Sequence, residues 1–111
     1  MAMSVSSTLK VLAEPARRQI VAFLAEGEAP VAEIASQFNC SVSAVSQHLK
    51  ALREAGVVSV RPQAQQRFYA LNPKAMAEAA AWMMRMGGFW TGKMAALEKS
   101  LLEASTASTA G

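Results

Sequence analysis

The sequence predicts a mainly α-helical domain with one small β-hairpin. Of its 111 residues, 52% are hydrophobic and only 6% are aromatic, and a core rich in Ala and Met favours packed helices over a β-sandwich. Two short runs with helical apolar spacing meet at a turn near Asn39. Between Val57 and Leu71 the apolar spacing changes to the period of two that is typical of strands. The length suits a single domain.

The N-terminal quarter predicts two helices. The first covers Ser4 to Ala13. Pro15 fits the first turn of the second helix, because the N–H that proline lacks would have no partner there, and Gly27 ends this helix. The positions predicted to face inward are Val5, Leu9, Leu12, Ile20, Val21 and Leu24.

The stretch from Val31 to Leu52 predicts a helix-turn-helix. A short third helix opens at Pro30, and Asn39 suits the left-handed position that ends a helix. Ser41 suits the N-cap of the fourth helix, which Gly56 ends. The lengths on either side of the turn match this motif. The positions predicted to face the core are Val31, Ile34, Ala35, Phe38, Val42, Val45, Leu49 and Leu52.

The fourth helix leaves a polar side opposite its apolar arc, which spans about 80° at 100° per residue. The side chains on that polar side are Ser43, Gln47, Lys50 and Glu54, with Ser46 and His48 on the flanks. A helix that buries one side and presents Ser, Gln and Lys on the other fits a DNA major groove. The fourth helix is therefore the predicted recognition helix.

A two-stranded hairpin follows. Val57 to Arg61 alternates, Pro62 to Gln66 is polar, and Arg67 to Leu71 is again aromatic and apolar, which together predict two strands and a polar tip. A helix-turn-helix followed directly by a hairpin is a winged helix-turn-helix. The tip lacks glycine, so its turn type stays open.

A long last helix begins with Asn72 as N-cap and Pro73 in its first turn. Thirty helical residues span about 45 Å, so the apolar stripe of this helix exceeds what a small domain can cover, and a second copy of the chain is the simplest partner. We expect residues 1–103 to form a winged-helix DNA-binding and dimerisation domain and residues 104–111 to be a disordered tail. The stripe residues predicted to support dimerisation are Met83, Trp90, Met94, Leu97 and Leu101.

Positive charge is concentrated around the recognition helix and hairpin. The formal net charge is +3. Residues 41–74 contain five basic residues against Glu54 alone, a net charge of +4, while the rest contains six basic and seven acidic residues. Lys and Arg near phosphates release condensed counterions, so this distribution indicates salt-sensitive binding to nucleic acid.

The sequence resembles the ArsR family of dimeric winged-helix repressors over about Leu9 to Pro73. The resemblance lies in LKVLAEPARRQIVAFL and then SVSAVSQHLKALREAGVVSVRPQAQQRFYAL. It implies a homodimer joined through its first helix, including Leu9, and its last helix, on a near-palindromic operator. By position, the residues that match groove-facing contacts are Ser43, Ser46 and Gln47, and those that match backbone contacts are Lys50, Arg61 and Arg67.

The chain departs from this family at the metal sites. Founding members use paired cysteines in or beside the third helix, where this chain has PVAEIAS, and others use Asp and His on the last helix, which has neither. We therefore expect no metal site and no cofactor. With a single histidine and no Asp, no catalytic constellation is present, and we do not expect an enzyme.

Four features have more than one interpretation. Cys40 suits either a thiol switch or a small buried hydrophobe. His48 suits either a phosphate contact or pH-sensitive group, or a structural hydrogen bond. Arg17 and Arg18 suit phosphate contact, dimer bracing, or an ion pair with Glu14. The Met and Trp residues of the last helix suit a dimer interface or a pocket for a hydrophobic ligand.

The predicted function is therefore a cytoplasmic, sequence-specific regulator, most simply a homodimeric repressor. Its predicted partners are double-stranded DNA, a second copy and an unknown small-molecule effector, with no membrane. One cysteine fits a reducing compartment, and no signal peptide or membrane span is evident in the sequence. The alternatives are a regulator that senses a hydrophobic ligand or a redox change, and a winged helix that binds proteins without specific DNA binding.

Overall fold

Helices dominate the chain, and three short strands lie between them. The computed structural model describes residues 4–110, with side chains for all of these except Trp90 and residues 105–110. The elements, in order, are α1 Val5–Val11, α2 Pro15–Leu24, β1 Ala29–Pro30, α3 Val31–Gln37, α4 Val42–Glu54, β2 Val58–Gln63, β3 Gln66–Leu71 and α5 Pro73–Ala110. The predicted fold class, mainly α with a small hairpin in a winged helix-turn-helix, is confirmed.

Helix α1 buries a different side from the predicted one. Ser4 caps it, since the Ser4 Oγ accepts a hydrogen bond from the Ser7 N–H at 3.0 Å. Its buried residues are Thr8 and Val11, whereas the predicted inward positions are only half-buried. Thr8 tolerates burial because its hydroxyl donates to the Ser4 carbonyl at 3.2 Å, which satisfies the polar atom inside the helix.

The sheet has three strands rather than the two expected. Strand β1 pairs antiparallel with β3, with Ala29 opposite Tyr69 and Pro30 opposite Phe68. The order is β1-β3-β2, so β3 is central. The hairpin strands extend into the predicted polar tip, residues 62–66, and leave only a two-residue turn at 64–65. Ala64 adopts φ 56° there, which is how a tip without glycine still turns tightly.

One apolar core holds these elements together. Its least exposed side chains are Ile34 of α3, Leu49 and Leu52 of α4, and Val57, each at 0% exposure. The other core residues are Val11, Ile20, Val21, Leu24, Ala29, Ala35, Val45 and Val58. Because α3 and α4 contribute side by side to this core, the outer side of α4 is fixed relative to the hairpin.

Two compact units divide the chain, one ending at Ala79 and the next beginning at Ala80.

Helix α5 begins as predicted, since the Asn72 side-chain oxygen accepts from the Lys74 N–H at 3.1 Å. The helix continues to Ala110, so residues 104–110 are helical where the composition predicts disorder. None of the described helices is long and apolar enough to cross a bilayer.

Candidate nucleic-acid interface

The turn between α3 and α4 sets the direction of the recognition helix. Asn39 takes φ 53°, the left-handed conformation predicted for it, and the Cys40 N–H donates to the Ala35 carbonyl at 3.1 Å. Ser41 then caps α4, accepting from the Ala44 N–H at 3.1 Å. These local bonds satisfy backbone groups at both helix ends, so the turn has a defined geometry.

The predicted DNA-contacting residues of α4 lie on its outer side. Val45, Leu49 and Leu52 face the core. Away from them, four predicted contacts lie exposed on the same helix, namely Ser43, Ser46, Gln47 and Lys50. The structure therefore brings these four side chains together on a solvent-facing polar surface, which we call the recognition face.

Val42 does not join the core as the apolar spacing predicts. It lies in the first turn of α4 and is 49% exposed. At 100° per residue it falls about 60° from Val45, on the same flank as Ser46. The first turn extends beyond the end of the core, so position 42 has less to pack against than positions 45, 49 and 52. Val42 instead adds an apolar edge to the recognition face.

The hairpin carries Arg67 to the flank of the recognition face. Arg67 and Ser46 line the same cavity of about 390 Å³. The remaining lining residues come from β1, α3 and the hairpin: Pro30, Val31, Ala32, Gln65, Gln66 and Tyr69. Pro30 of β1 thus lines the groove between the recognition helix and the β2–β3 hairpin, which is the wing of the winged helix.

Arg61, the other predicted hairpin contact, is already paired. Its Nε donates to Glu28 at 2.9 Å, a second guanidinium nitrogen donates to the other Glu28 oxygen, and a third donates to Gln63 at 2.6 Å. The guanidinium also lies 5.2 Å from the Phe68 ring centroid. The hydrogen bond, with coulombic attraction adding to it against desolvation, lowers the pKa of Glu28 and raises that of Arg61. Arg61 is therefore less available to a phosphate than Arg67.

Arg53 is a candidate that the sequence analysis did not single out. It lies in the last turn of α4 and lines a second groove together with Arg67. Helical spacing alone could have suggested it, because at 100° per residue Arg53 falls within about 20° of Ser46.

Comparison with known proteins agrees with this geometry. Residues 14–60 match the model of a bacterial regulatory protein family, the arsR family. The transcriptional repressor SdpR of Bacillus subtilis is 32% identical over 79 residues, covering 71% of this chain and 88% of SdpR. The transcriptional activator HlyU of Vibrio cholerae is 44% identical over 73 residues, covering 63% and 68% of the two chains.

A solved structure has a fold similar to that of this chain. A homodimeric winged helix-turn-helix DNA-binding domain from Mycobacterium bovis superimposes with a TM-score of 0.64 at 27% identity, covering 75% of this chain and 78% of that one. The chain belongs to the ArsR family. Since this is a family of regulatory proteins, the ArsR-family chain is a transcriptional regulator and not an enzyme.

Three polar residues of this ArsR-family protein, Arg17, Arg18 and His48, have neighbours around the start of α2. Glu14 pairs with Arg17 at 3.2 Å and lies 3.9 Å from His48 Nε2. Arg18 donates to the Leu12 and Ala13 carbonyls at 2.8 and 2.9 Å. Glu14 and His48 are far apart in the sequence and lie close together only in the folded chain.

Cys40 is exposed rather than buried as a small hydrophobe would be. Its thiol donates to the Phe38 carbonyl at 3.3 Å. Elsewhere in residues 4–110, no group of three His, Cys, Asp or Glu side chains could hold a metal ion.

The predicted dimer residues of the ArsR-family chain fall in both units. Leu9 is half-buried in α1. On α5 the exposed fractions are 55% for Met83, 62% for Met94, 54% for Leu97 and 62% for Leu101. The side chain of Trp90 lies outside the described residues. The four exposed side chains follow spacings of eleven, three and four residues, all of which return to the same side of a helix, so they form one apolar stripe.

Proposed function

We propose that this ArsR-family chain is a homodimeric, cytoplasmic repressor that binds a near-palindromic DNA operator. The observation that carries the proposal is the exposed recognition face of α4 beside an arginine-lined groove. Two copies would insert their recognition helices into successive major grooves about one helical turn apart. We propose repression because the relative SdpR is a transcriptional repressor.

The recognition face supports direct readout of bases. Gln47 pairs well with the adenine edge through two hydrogen bonds, and Ser43 and Ser46 are able to donate or accept at several bases. Exposed Val42 offers an apolar contact for a thymine methyl group. These residues lie in the N-terminal half of α4, which is the half that reaches base edges in this motif.

Basic residues around the recognition face support backbone contact. Lys50 lies on α4 itself, and Arg67 lies on the wing, both exposed. We assign them to phosphates. Arg61 is the weakest of the predicted contacts, because its charge is already balanced by Glu28.

The apolar stripe of α5 supports a second copy as partner. Met83, Met94, Leu97 and Leu101 are each more than half exposed in one chain, and the relative from Mycobacterium bovis is a homodimer. Burying such side chains contributes about 1.5–3 kcal/mol each. We assign Leu9 and Trp90 to the same interface.

Selection of bound fragments from the source genome, followed by fluorescence anisotropy, tests the proposal. We expect recovered sites with two inverted half-sites centred about 10 base pairs apart, and an affinity that falls steeply with salt. Equal affinity for recovered and scrambled DNA at every salt concentration would contradict the proposal. Binding of one chain per site would contradict its dimeric part.

A further inference from the structure

A groove between the end of α4 and the hairpin is lined by two arginines. Arg53 comes from the last turn of α4 and Arg67 from β3, while Val60 and Pro62 of β2 complete the lining. The groove has a volume of about 290 Å³. At about 30 Å³ for each water molecule, that is ample room for one phosphate group with part of its hydration.

Neither arginine is neutralised within the part of the chain that the structure describes. Among the side chains that the structure describes, none forms a hydrogen bond or ion pair with the guanidinium of Arg53 or Arg67, and the lining contains no carboxylate. Both residues are exposed. Two like charges beside one groove repel each other, and an anion between them adds two attractive interactions that offset this repulsion.

Arg61 provides the contrast that makes the groove distinctive. It lies on β2 between the two groove residues Val60 and Pro62, yet it does not line the groove. Side chains alternate between the two faces of a strand, and Arg61 pairs with Glu28 instead. The hairpin therefore carries one arginine held by a carboxylate and one left open beside α4.

We propose that this groove binds one phosphodiester of the operator backbone, with Arg53 and Arg67 on its two sides. The proposal rests on the DNA-binding function proposed above and assigns one backbone site to it. Guanidinium groups suit phosphate because their planar N–H pairs match its oxygens. A single phosphate held from both elements would lock the recognition helix and the wing into one orientation on DNA.

A methylphosphonate scan of a selected operator tests the proposal. Each backbone position in turn carries one uncharged linkage, and anisotropy compares the unmodified chain with Arg53→Gln, Arg67→Gln and the double variant. At one backbone position in each half-site, the uncharged linkage should lower the affinity of the unmodified protein for the operator about tenfold. This is the scale of one charged hydrogen bond. Either single variant should lose most of that effect at the same position.

Arg61→Gln is the matched control, and it should retain the tenfold effect at that linkage. Circular dichroism checks that all variants fold. The proposal is overturned if Arg53→Gln and Arg67→Gln lose sensitivity at different phosphates, or if neither loses any. Saturation by inorganic phosphate at millimolar concentration, with no operator position affected, would assign the groove to a free anion and would also overturn it. Absence of operator binding by the unmodified chain is a different result, since it contradicts the proposed function itself.

Discussion

Single side chains near the hairpin differ in how much charge they leave for DNA. Arg61 is held by Glu28, whereas Arg67 lines two grooves beside α4. In the sequence the two residues look equivalent, since both are basic hairpin positions. The difference arises because Glu28 is brought to the hairpin by β1, a long-range contact that local spacing cannot reveal.

Glu28 should titrate at an unusually low pH. Because the Arg61 hydrogen bond lowers the pKa of Glu28, the stabilising contribution of this pair is present above the ordinary carboxyl pKa. It is lost as the pH falls through the lowered value. Carbon-detected NMR of the Glu28 carboxyl should give a midpoint below the ordinary glutamate range, and Arg61→Gln should raise it. An unchanged midpoint in the variant would show that Arg61 is not the cause.

Gln47→Ala should relax sequence preference more than it weakens binding. Loss of a two-bond contact with adenine costs about 1–3 kcal/mol of discrimination, while backbone contacts remain. Anisotropy on the operator and on DNA with each adenine replaced measures this, with Gln19→Ala, an exposed position on α2, as control. Equal losses on specific and random DNA would rule out base readout by Gln47.

Site residues could be predicted where helical periodicity decides their direction. The exposure of Ser43, Ser46, Gln47 and Lys50 follows from the buried positions of α4. Exposure of Val42 and Cys40 could not be predicted, because both lie where the core ends, and the end of a core depends on tertiary packing. Glu14 as the neighbour of His48 was likewise not evident from sequence spacing.

Helix ends and turns were largely predictable, because their signals are local. The left-handed Asn39 and Gly56 take φ 53° and 81°, and Ser41 and Asn72 cap their helices. Strand β1 was not predictable, since two residues give no periodicity and its pairing with β3 is long-range. The predicted hairpin tip was too long, because the turn contains Ala64 and no glycine that would indicate its position in the sequence.

Ser41→Ala should destabilise the recognition helix by about 1 kcal/mol, since it removes the bond to the Ala44 N–H. For a domain of this size that corresponds to a fall of about 4–8 °C in Tm. Ser43→Ala is the matched control, because Ser43 lies inside the helix and is exposed, and alanine favours helix. Equal melting temperatures for the two variants would show that the cap does not stabilise α4.

For the molecule as a whole, the proposed dimer depends on the apolar stripe of α5. Leu97→Lys should weaken dimerisation about a hundredfold, because the charge lies in both copies of a symmetric interface and each lost apolar contact is worth tenfold or more. Ala96→Lys, one residue away and rotated by 100° off the stripe, should have little effect. Analytical ultracentrifugation across a concentration series measures both. Equal dissociation constants for the two variants would remove the stripe from the interface.

The proposed dimer would bring together the basic surfaces of two copies. The excess of positive charge lies in residues 41–74, which contain α4 and the hairpin and not most of α5. Dimerisation through α5 would therefore place two basic reading surfaces on one assembly. A change in the spacing between them would release DNA, since half-site spacing is fixed by the helical repeat.

Interference by 7-deazapurine substitution, at one purine of a selected operator at a time, decides whether two copies read the major groove, because each substitution removes only the N7 acceptor that faces that groove. Two clusters of interfering positions are expected about 10 base pairs apart on one side of the duplex, and both should weaken in Gln47→Ala. A single cluster, or two clusters that Gln47→Ala leaves unchanged, would rule out two recognition helices that read bases through Gln47.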